Sequence, residues 1–526
     1  MKINNQYVFR ISLIVALGGF LMGFDASVIS GVIKFIEPEF NLSKLELGWA
    51  VSSLTLTATL AMIFAGGLSD RFGRKRLLTW AALLYGVSAI SSAIAPDFIT
   101  LVISRMIGGF GVGISLIIAP MYIAEIAPPE IRGKLVSLNQ LNIVMGISAA
   151  FFTNYLILKL GQSDSVWAQN LKFSEYNWRW MLGLEALPAL LYFLGLFIVP
   201  CSPRWLIMAG REIEALKVLA KTVGDEKAMN DLKIVKASIQ EDITKEKASL
   251  KDVFKPVLRS VLIIGIVLAV LQQITGINSV FFYAPMIFEQ SGIGTDAAFT
   301  QAIYVGIINL LFTIAALLLI DKIGRKPLLS FGVTGIVISM FVLAYGFSSA
   351  TYTISPDAVQ NLSDTTIIQS VKSIENITYG NLAEFRQSIE MAIGHESFLR
   401  NETELTQAAL HLNSTLILIA ILAFVASFAI SIGPVMWVLF SELFPNRERA
   451  VAISFVGFIN SVVSFGVQFV FPWELKFWGA STTFLIYGIF AALGLIFILT
   501  HVPETKGKTL EELSGFLLNK NQKKSL

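Results

Sequence analysis

Residues Gly67–Lys75 read GLSDRFGRK, and this charged motif returns as IDKIGRK at Ile320–Lys326. In both copies Gly-Arg-Lys begins three residues after an aspartate. A second pair of motifs follows in the same order: Glu125 opens Glu-Ile-Ala-Pro and Glu442 opens Glu-Leu-Phe-Pro, each with an arginine seven residues after the glutamate. Two motifs that recur in the same order indicate that the chain arose by duplication.

The spacing of the motifs supports the same conclusion. Asp70 and Glu125 are 55 residues apart, whereas Asp321 and Glu442 are 121 residues apart. The polar segment 350–412 supplies nearly all of the difference. Parallel repeats with a binding site between them are typical of transporters.

The composition indicates a membrane protein. Of 526 residues, 55 % are hydrophobic and 15 % are charged, and the mean hydropathy is +0.69. Soluble domains carry about a quarter charged residues, so a soluble fold of this composition would expose too much apolar surface. The net charge of +3 argues against a nucleic-acid partner. One cysteine and three scattered histidines give no disulfide framework or metal site, and we expect no cofactor.

Twelve apolar runs are long enough to cross a bilayer. About 20 apolar residues in a helix cross the hydrocarbon core, whereas β-barrel strands would be short and alternating. The predicted fold is therefore all-α, with twelve spans in two pseudo-symmetric six-helix bundles. We number the runs as spans 1 to 12: 8–32, 47–68, 77–95, 98–122, 135–157, 179–199, 257–288, 298–320, 327–349, 413–439, 449–471 and 479–500.

The basic residues predict the orientation of the chain. With both termini in the cytoplasm, the cytoplasmic segments hold 30 of the 40 Lys and Arg residues. This bias is the positive-inside pattern of a multi-pass protein of the cell membrane. Arg105 and Arg179 lie in or at the edge of spans, and the external loops hold Lys34, Lys44, Lys159, Lys172, Lys372, Arg386, Arg400 and Lys476.

The spans divide the chain into segments. We expect an N-terminal six-helix bundle over residues 1–200, a cytoplasmic linker with short helices over 201–256, and a C-terminal six-helix bundle with a short cytoplasmic tail over 257–526. Residues 350–412 form an external insertion with eight acidic and three basic residues. Charge-rich segments of this kind are usually solvated linkers, and we expect this of both 201–256 and 350–412.

The repeated charged motifs are candidates for a gate. They place acids and arginines at the cytoplasmic ends of spans 2 to 5 and of their counterparts in the second half. Salt bridges there can hold the halves together on the cytoplasmic side and break when that side opens. Positive-inside anchoring explains the basic residues but not the acids at fixed spacing. The predicted gate residues are Asp70, Arg74, Glu125, Arg132, Asp321, Arg325, Glu442 and Arg449.

Together with several others, these motifs resemble the sugar porter family of the major facilitator superfamily, and within it the bacterial proton–xylose symporters. The resemblance covers nearly the whole chain apart from 350–412. It implies a monosaccharide symporter that works by alternating access, with a sugar and a proton as partners in a lipid bilayer, and we expect a monomer. The other motifs are GFDASVISG at Gly23–Gly31, PMYIAEIAPPEIRGK at Pro120–Lys134, QQITGIN at Gln272–Asn278, GPVMWVLFSELFP at Gly433–Pro445 and VPETKGKTLEEL at Val502–Leu513.

The resemblance implies a sugar site on spans 5, 7, 8, 10 and 11. Amides suit sugar hydroxyls because they both donate and accept hydrogen bonds without charge, and an aromatic ring can cover the apolar face of a pyranose. Isolated amides in spans more often join helices, but the QQITGIN run argues against that alternative. The matching positions are Gln140, Gln272, Gln273, Asn278, Asn309, Trp437 and Asn460.

Three positions depart from the family pattern. Ser461 stands where the xylose symporters carry a second tryptophan, and Phe282 replaces a tyrosine of span 7. These two departures leave the identity of the sugar open. Cys201 replaces the glutamate of Pro-Glu-Ser-Pro-Arg after span 6, which implies a weaker inner gate.

Asp25 in span 1 and Arg105 in span 4 are candidates for proton coupling. Ionisable residues within the membrane are costly, and most are functional or paired. The resemblance implies that Asp25 accepts the proton. Protonation would remove half of the attraction between the two side chains and release Arg105. The alternative is a static buried pair that holds the first half together.

Three other functions stay open. A facilitative sugar uniporter would share the fold without proton coupling. A transporter-like sugar sensor would usually carry a long cytoplasmic tail, and only about 25 residues follow span 12. A membrane enzyme is disfavoured, because the sequence shows no nucleophile motif, metal-ligand spacing or phosphate-binding glycine loop.

Overall fold

The computed structural model describes residues 5–244, 249–356, 359, 367–445 and 447–507. Within this part of the chain, eleven helices are long and apolar enough to span a membrane. A further helix of 20 residues, Arg74–Ala93, occupies the predicted third span. A helix of that length extends about 30 Å. Helices therefore occupy all twelve predicted spans.

Most of the spanning helices are continuous. Three are interrupted: span 6 between Gly183 and Ala186, span 7 between Ile274 and Ile277, and span 10 at Ser431. Spans 1 to 6 are Asn5–Glu39, Lys44–Phe72, Arg74–Ala93, Phe98–Ile126, Arg132–Gly161 and Asn177–Ile198. Spans 7 to 12 are Pro256–Glu289, Thr295–Ile323, Arg325–Ser348, Ser414–Leu443, Arg449–Phe477 and Gly479–His501.

The glycine of the repeated Gly-Arg-Lys motif forms a tight turn between two spans. Gly73 joins span 2 to span 3 with φ +92°, and Gly324 joins span 8 to span 9 with φ +105°. Glycine adopts this backbone conformation without the steric cost that other residues incur. The Gly73 N–H donates to the Ser69 carbonyl at 2.9 Å, and the Gly324 N–H donates to the Ile320 carbonyl at 3.2 Å. The sequence repeat is therefore also a structural repeat.

Small residues let the helices approach closely. A β-carbon at Gly23 of span 1 would lie 2.0 Å from the Ile143 carbonyl oxygen of span 5. Between the two halves, a β-carbon at Gly48 of span 2 would lie 1.9 Å from the Phe469 carbonyl oxygen of span 11. Small residues are typical of such contacts between membrane helices. Spans 2 and 11 are thus in direct backbone contact.

The segment 201–256 is folded in its described part. Trp205 packs with Leu206, Leu219 and Leu232 in a hydrophobic cluster. The short helices expected in this linker are present, and they place the charges on one side and bury the other, so the segment is not solvated throughout. The helices are Pro203–Met208, Glu212–Val223, Asp225–Thr244 and Leu250–Val253.

The insertion 350–412 is also folded where it is described. Phe385, Ile389 and Leu405 pack in a core of their own, and Tyr352 stacks on Phe385 with 5.4 Å between ring centroids. The solvated-linker interpretation is wrong here, since apolar residues recur at helical spacing among the acidic ones. Strand Thr351–Thr353 pairs antiparallel with Thr378–Tyr379 and Leu410–His411, and the helices are Ile368–Val371, Lys372–Ile374, Leu382–Ile393 and His395–Ala409.

Candidate functional site

Four of the predicted sugar-site amides form one hydrogen-bonded group, which we call the amide cluster: Gln272, Gln273, Asn278 and Asn460. Gln272 and Gln273 precede the interruption of span 7, and Asn278 follows it. The Gln273 amide donates to Asn460 at 3.1 Å and to Gln272 at 3.2 Å. It accepts a hydrogen bond from Asn278 at 2.7 Å, and Asn460 donates to Gln272 at 2.9 Å. The structure thus brings together residues of spans 7 and 11.

A left-handed glycine makes the interruption of span 7 possible. Gly276 has φ +82°, which favours glycine. Non-helical backbone is tolerated at membrane depth only where protein or a cavity surrounds it. The Gln272 amide donates to the carbonyls of Ile432 and Gly433, at 3.2 Å each, beside the interruption of span 10. Two interrupted helices that face each other are a common setting for transporter binding sites.

Three further predicted sugar-site residues lie outside the amide cluster. Gln140 is exposed on span 5, and Asn309 is buried on span 8. Trp437 on span 10 is 43 % exposed, with its ring edge-on to Phe440 at 5.8 Å. No hydrogen bond between described residues joins Gln140, Asn309 or Trp437 to the amide cluster. The indole of Trp437 therefore keeps surface available to a ligand.

Span 11 extends the amide cluster with residues that the sequence analysis missed. Asn278 and Gln468 both donate to the Ser464 hydroxyl oxygen, at 2.7 Å each. Thr55 of span 2 donates to the Gln468 amide oxygen at 2.9 Å, so the network reaches the first half of the molecule. The spacing of these residues could have revealed them. Asn460, Ser464 and Gln468 follow one another at intervals of four residues and so lie on one face of a helix.

Asp25 and Arg105 form a buried ion pair in the first half. Nη1 of Arg105 lies 3.3 Å from Oδ1 of Asp25, and each side chain is 1 % exposed. Arg105 also donates to the backbone carbonyls of Asp25 at 3.3 Å and Ala50 at 3.1 Å. The guanidinium is therefore held by backbone oxygens as well as by the carboxylate.

A second buried carboxyl lies near this pair. Glu185, in the interruption of span 6, is 1 % exposed and within electrostatic range of Asp25 and Arg105. Its Oε1 atom has no hydrogen-bond partner in the described part of the chain. The sequence analysis missed this residue, although an acid inside the apolar run 179–199 carries the same signal as Asp25 does.

The predicted gate residues of the first half bond to one another. Arg74 lies 2.9 Å from Glu125 and 3.0 Å from Asp70. Arg132 instead donates to the Ala127 carbonyl at 3.4 Å. Arg74 is almost fully buried, so this pairing offsets a large desolvation cost.

The second half repeats this arrangement. Arg325 lies 2.8 Å from Glu442 and 3.0 Å from Asp321. Arg449 donates to the Phe444 carbonyl at 3.1 Å. Among described residues, no hydrogen bond or ion pair of the predicted gate joins the two halves. We call this end of the bundle, where Gly73 and Gly324 make their turns, the basic face.

Polar contacts between the halves occur near the opposite end, which carries residues 350–412 and which we call the insertion face. Lys34 of span 1 pairs with Glu289 of span 7 at 2.5 Å. Lys159 of span 5 pairs with Asp296 of span 8 at 2.7 Å. The halves are therefore tied at the insertion face, while the charged residues of the basic face bond within each half.

Comparison with known proteins places this architecture in a family. The family model described as "Sugar (and other) transporter" matches residues 11–368 and 396–516. The chain belongs to this family. Its members are carriers, in agreement with the prediction of a transporter in place of an enzyme.

Individual members of the sugar transporter family match over almost the whole chain. The arabinose-proton symporter of Bacillus subtilis is 36 % identical over 96 % of this chain and 94 % of its own length. The D-xylose-proton symporter of Escherichia coli is 34 % identical over 97 % of this chain and 96 % of its own length.

A solved structure confirms the predicted fold class. The xylose transporter of E. coli, in a partially occluded inward-open conformation, matches with a TM-score of 0.73 and 33 % identity. The match covers 96 % of this chain and 100 % of that one. This sugar transporter therefore has the major facilitator fold, and the predicted family resemblance is confirmed.

Two departures from the xylose-symporter pattern flank the amide cluster. Phe282 is buried on span 7, four residues after Asn278, and Ser461 directly follows Asn460. Phenylalanine lacks the hydroxyl of tyrosine, and serine lacks the indole of tryptophan. The two positions that the resemblance marks as departures therefore lie beside the amide cluster along spans 7 and 11.

Proposed function

We propose that this chain is a proton-coupled symporter that carries a monosaccharide, a pentose or a hexose, by alternating access. The observation that carries the proposal is the buried Asp25–Arg105 pair with its 3.3 Å separation, because a facilitative carrier has no need of an ionisable pair inside the membrane. Two relatives that match along almost their whole length are named sugar–proton symporters, which supports the same activity.

Charge balance explains how one proton can act at this pair. With both carboxyls ionised, Asp25 and Glu185 together carry −2 and Arg105 carries +1. One proton brings the group to neutrality, and an uncompensated charge is costly once the site is sealed from water. We propose Asp25 as the acceptor. Its protonation weakens the bond to Arg105 and so allows the helices of the first half to rearrange.

We place the basic face in the cytoplasm, with both termini on that side of the cell membrane. The bias of Lys and Arg residues toward these segments supports the orientation. The halves are tied at the insertion face by Lys34–Glu289 and Lys159–Asp296, which is the arrangement of a carrier that faces inward. In the outward-facing state these pairs separate and the gate residues bridge the halves. Because one chain supplies both halves, the monomer is the functional unit.

We place the sugar between the amide cluster and the residues that face it on spans 5, 8 and 10, namely Gln140, Asn309 and Trp437. The amides satisfy one another's hydrogen bonds. Binding therefore exchanges one set of hydrogen bonds for another, and each exchanged bond contributes about 0.5–1.5 kcal/mol net. This exchange lets the site release the sugar as well as bind it.

Counterflow in proteoliposomes tests the proposed function. Vesicles loaded with one unlabelled sugar are diluted into the labelled sugar, across a panel of pentoses, hexoses and inositols. We expect transient accumulation of at least one pentose or hexose, and no accumulation in protein-free vesicles. Counterflow of inositols alone, or of no compound in the panel, would contradict a monosaccharide substrate.

Replacing residues 350–412 with a short Gly/Ser linker is expected to leave counterflow measurable. The insertion has its own hydrophobic core, and residues 369–395 within it lie outside the match to the family model. A matched control is Phe385→Ala, which damages the core of the insertion without shortening the chain. A deletion variant that inserts normally but loses sugar binding would show instead that the insertion completes the site.

A further inference from the structure

We infer that Gln468 of span 11 is a positioning residue that links the sugar site to closure of the insertion face, with Thr55 of span 2 as its partner in the other half. The inference rests on the proposed function. It assigns a role in transport to the one hydrogen-bonded path in the described structure that runs from the amide cluster into the first half of the molecule.

Thr55 and Gln468 meet inside the membrane, on the side of the insertion face. Thr55 is 11 residues from Lys44, where span 2 begins, and Gln468 is 9 residues from Phe477, where span 11 ends. At 1.5 Å per residue, both lie about 13–17 Å below those helix ends. Gln468 is 1 % exposed. The 2.9 Å bond between them is therefore shielded from water and strengthened by its surroundings.

The path from Gln468 to the centre of the amide cluster is short and continuous. Gln468 donates to Ser464, Ser464 accepts from Asn278, and Asn278 donates to Gln273, at 2.7 Å in each case. The Tyr283 hydroxyl also donates to the backbone carbonyl of Gln468 at 2.8 Å, which fixes span 11 against span 7. Rotation of any of these amides therefore changes which hydrogen bonds the neighbouring side chains can form.

Opening of the insertion face must break the link. Thr55 moves with the first half and Gln468 with the second, and the contact of Gly48 with Phe469 beside them separates in the same motion. The Gln468 oxygen then loses its donor and has to find another, because buried polar groups seldom stay unpaired. The network thus has two arrangements. A sugar that engages Asn278 biases the choice between them, which is how a ligand couples to a conformational change.

A simpler role for Gln468 is to tie two helices together, as amides in membrane proteins commonly do. In that case, loss of the bond would let the insertion face open more readily without any effect of Gln468 on the sugar site. The two roles differ at the sugar site, so the test measures sugar affinity as well as exposure of the insertion face.

A cysteine reporter makes exposure of the insertion face measurable. Ser148 of span 5 donates to the Gly306 carbonyl of span 8 at 2.9 Å, so it lies between the halves. The reporter protein carries Ser148→Cys, and Cys201→Ser removes the only native cysteine. A membrane-impermeant maleimide, added on the insertion-face side of oriented vesicles, reacts with the reporter only when that face opens.

The variants distinguish loss of the Thr55–Gln468 hydrogen bond from a similar change at a neighbouring residue. Thr55→Val removes the hydroxyl that reaches Gln468 and keeps the shape of the side chain. Thr57→Val makes the same change two residues away, where the hydroxyl donates to carbonyls of its own helix, Ser53 at 3.3 Å and Leu54 at 3.2 Å. Gln468→Leu removes the other partner, and the double variant Thr55→Val/Gln468→Leu tests whether the two residues act through one bond.

We expect Thr55→Val to raise the alkylation rate about fivefold over Thr57→Val, the change that one net hydrogen bond makes in an equilibrium. The double variant is expected to react no faster than Gln468→Leu alone. Equal rates in Thr55→Val and Thr57→Val, or additive effects in the double variant, would overturn the link.

The connection to the sugar site has its own readout. Because more carriers face the insertion side, Thr55→Val is expected to improve apparent sugar affinity on that side by the same factor as the alkylation rate. Gln468→Leu is expected to improve it less, since this variant also disturbs Ser464 and Asn278. Identical affinities in both variants would overturn the role of Gln468 in the sugar site. Alkylation needs no sugar, so failure of the parent to transport sugar would count against the proposed function alone.

Discussion

Asp25→Asn is expected to abolish sugar accumulation driven by a pH gradient. Asparagine keeps the size of the side chain and one acceptor oxygen but cannot bind a proton. One pH unit is worth about 1.4 kcal/mol per proton, so one-to-one coupling supports about tenfold accumulation in the parent. In the variant the internal and external sugar concentrations should become equal. The measurement is uptake of labelled sugar into vesicles with an imposed pH gradient.

We expect Asp25→Asn still to fold and to exchange sugar. Arg105 keeps its two backbone carbonyl acceptors, at Asp25 and Ala50, and Glu185 remains as a nearby negative charge. Counterflow needs no net proton movement and should therefore survive. A matched control is Asp97→Asn at the N-cap of span 4, where asparagine caps as well as aspartate. Continued uphill accumulation in Asp25→Asn would mean that another group, Glu185 foremost, carries the proton.

Gln273→Ala is expected to weaken sugar binding about 5- to 150-fold. Gln273 is the centre of the amide cluster: it donates to Gln272 and Asn460 and accepts from Asn278. Removing it takes away a proposed sugar contact and leaves buried partners unpaired, a cost of about 1–3 kcal/mol. The factor follows from that cost. Direct measurement of sugar binding to the purified protein checks it.

Two comparisons make the Gln273 result specific. Trp437→Ala is expected to weaken binding as well, by removing the ring that we propose to cover the apolar face of the sugar. Gln301→Ala, an amide of span 8 outside the amide cluster, is expected to bind like the parent. If Gln273→Ala and Trp437→Ala both bind sugar as the parent does, the sugar site lies elsewhere.

The spans were predictable from the sequence because each needs about 20 apolar residues, and few other structures do. The ends of the helices were harder to predict from the sequence. Span 1 extends from Asn5 to Glu39, beyond the apolar run 8–32, because helices continue through the polar boundary of the membrane. The interruptions at Gly276 and Ser431 were not predicted. The residues on either side of each interruption in the sequence are apolar, so the hydropathy pattern does not reveal where the helix breaks.

The two folded segments outside the spans show where composition misleads. In both 201–256 and 350–412 the charges suggested a solvated linker. Apolar residues such as Trp205 and Phe385 lie on the buried sides of short helices, and those of each segment meet in one core. Spacing along the helix, more than overall charge, carried the relevant signal.

The candidate site was partly predictable. Family motifs located the amides, and the cost of burying charge pointed to Asp25 and Arg105. Glu185 and Gln468 obeyed the same rules but belonged to no motif. The sequence could not predict the ion-pair partner of each charged residue. The charged residues of a carrier change partners during the transport cycle, and the structure holds one conformation of that cycle.

The most direct test of proton-coupled sugar transport is to measure proton and sugar uptake together in the same vesicles. A pH-sensitive dye inside the vesicles reports protons while labelled sugar is counted, with sugar added in the absence of any imposed pH gradient. We expect internal acidification that begins with sugar entry, at one proton per sugar, and no acidification in Asp25→Asn. Sugar entry without proton entry in the parent would show that the protein is a uniporter and that the Asp25–Arg105 pair is structural.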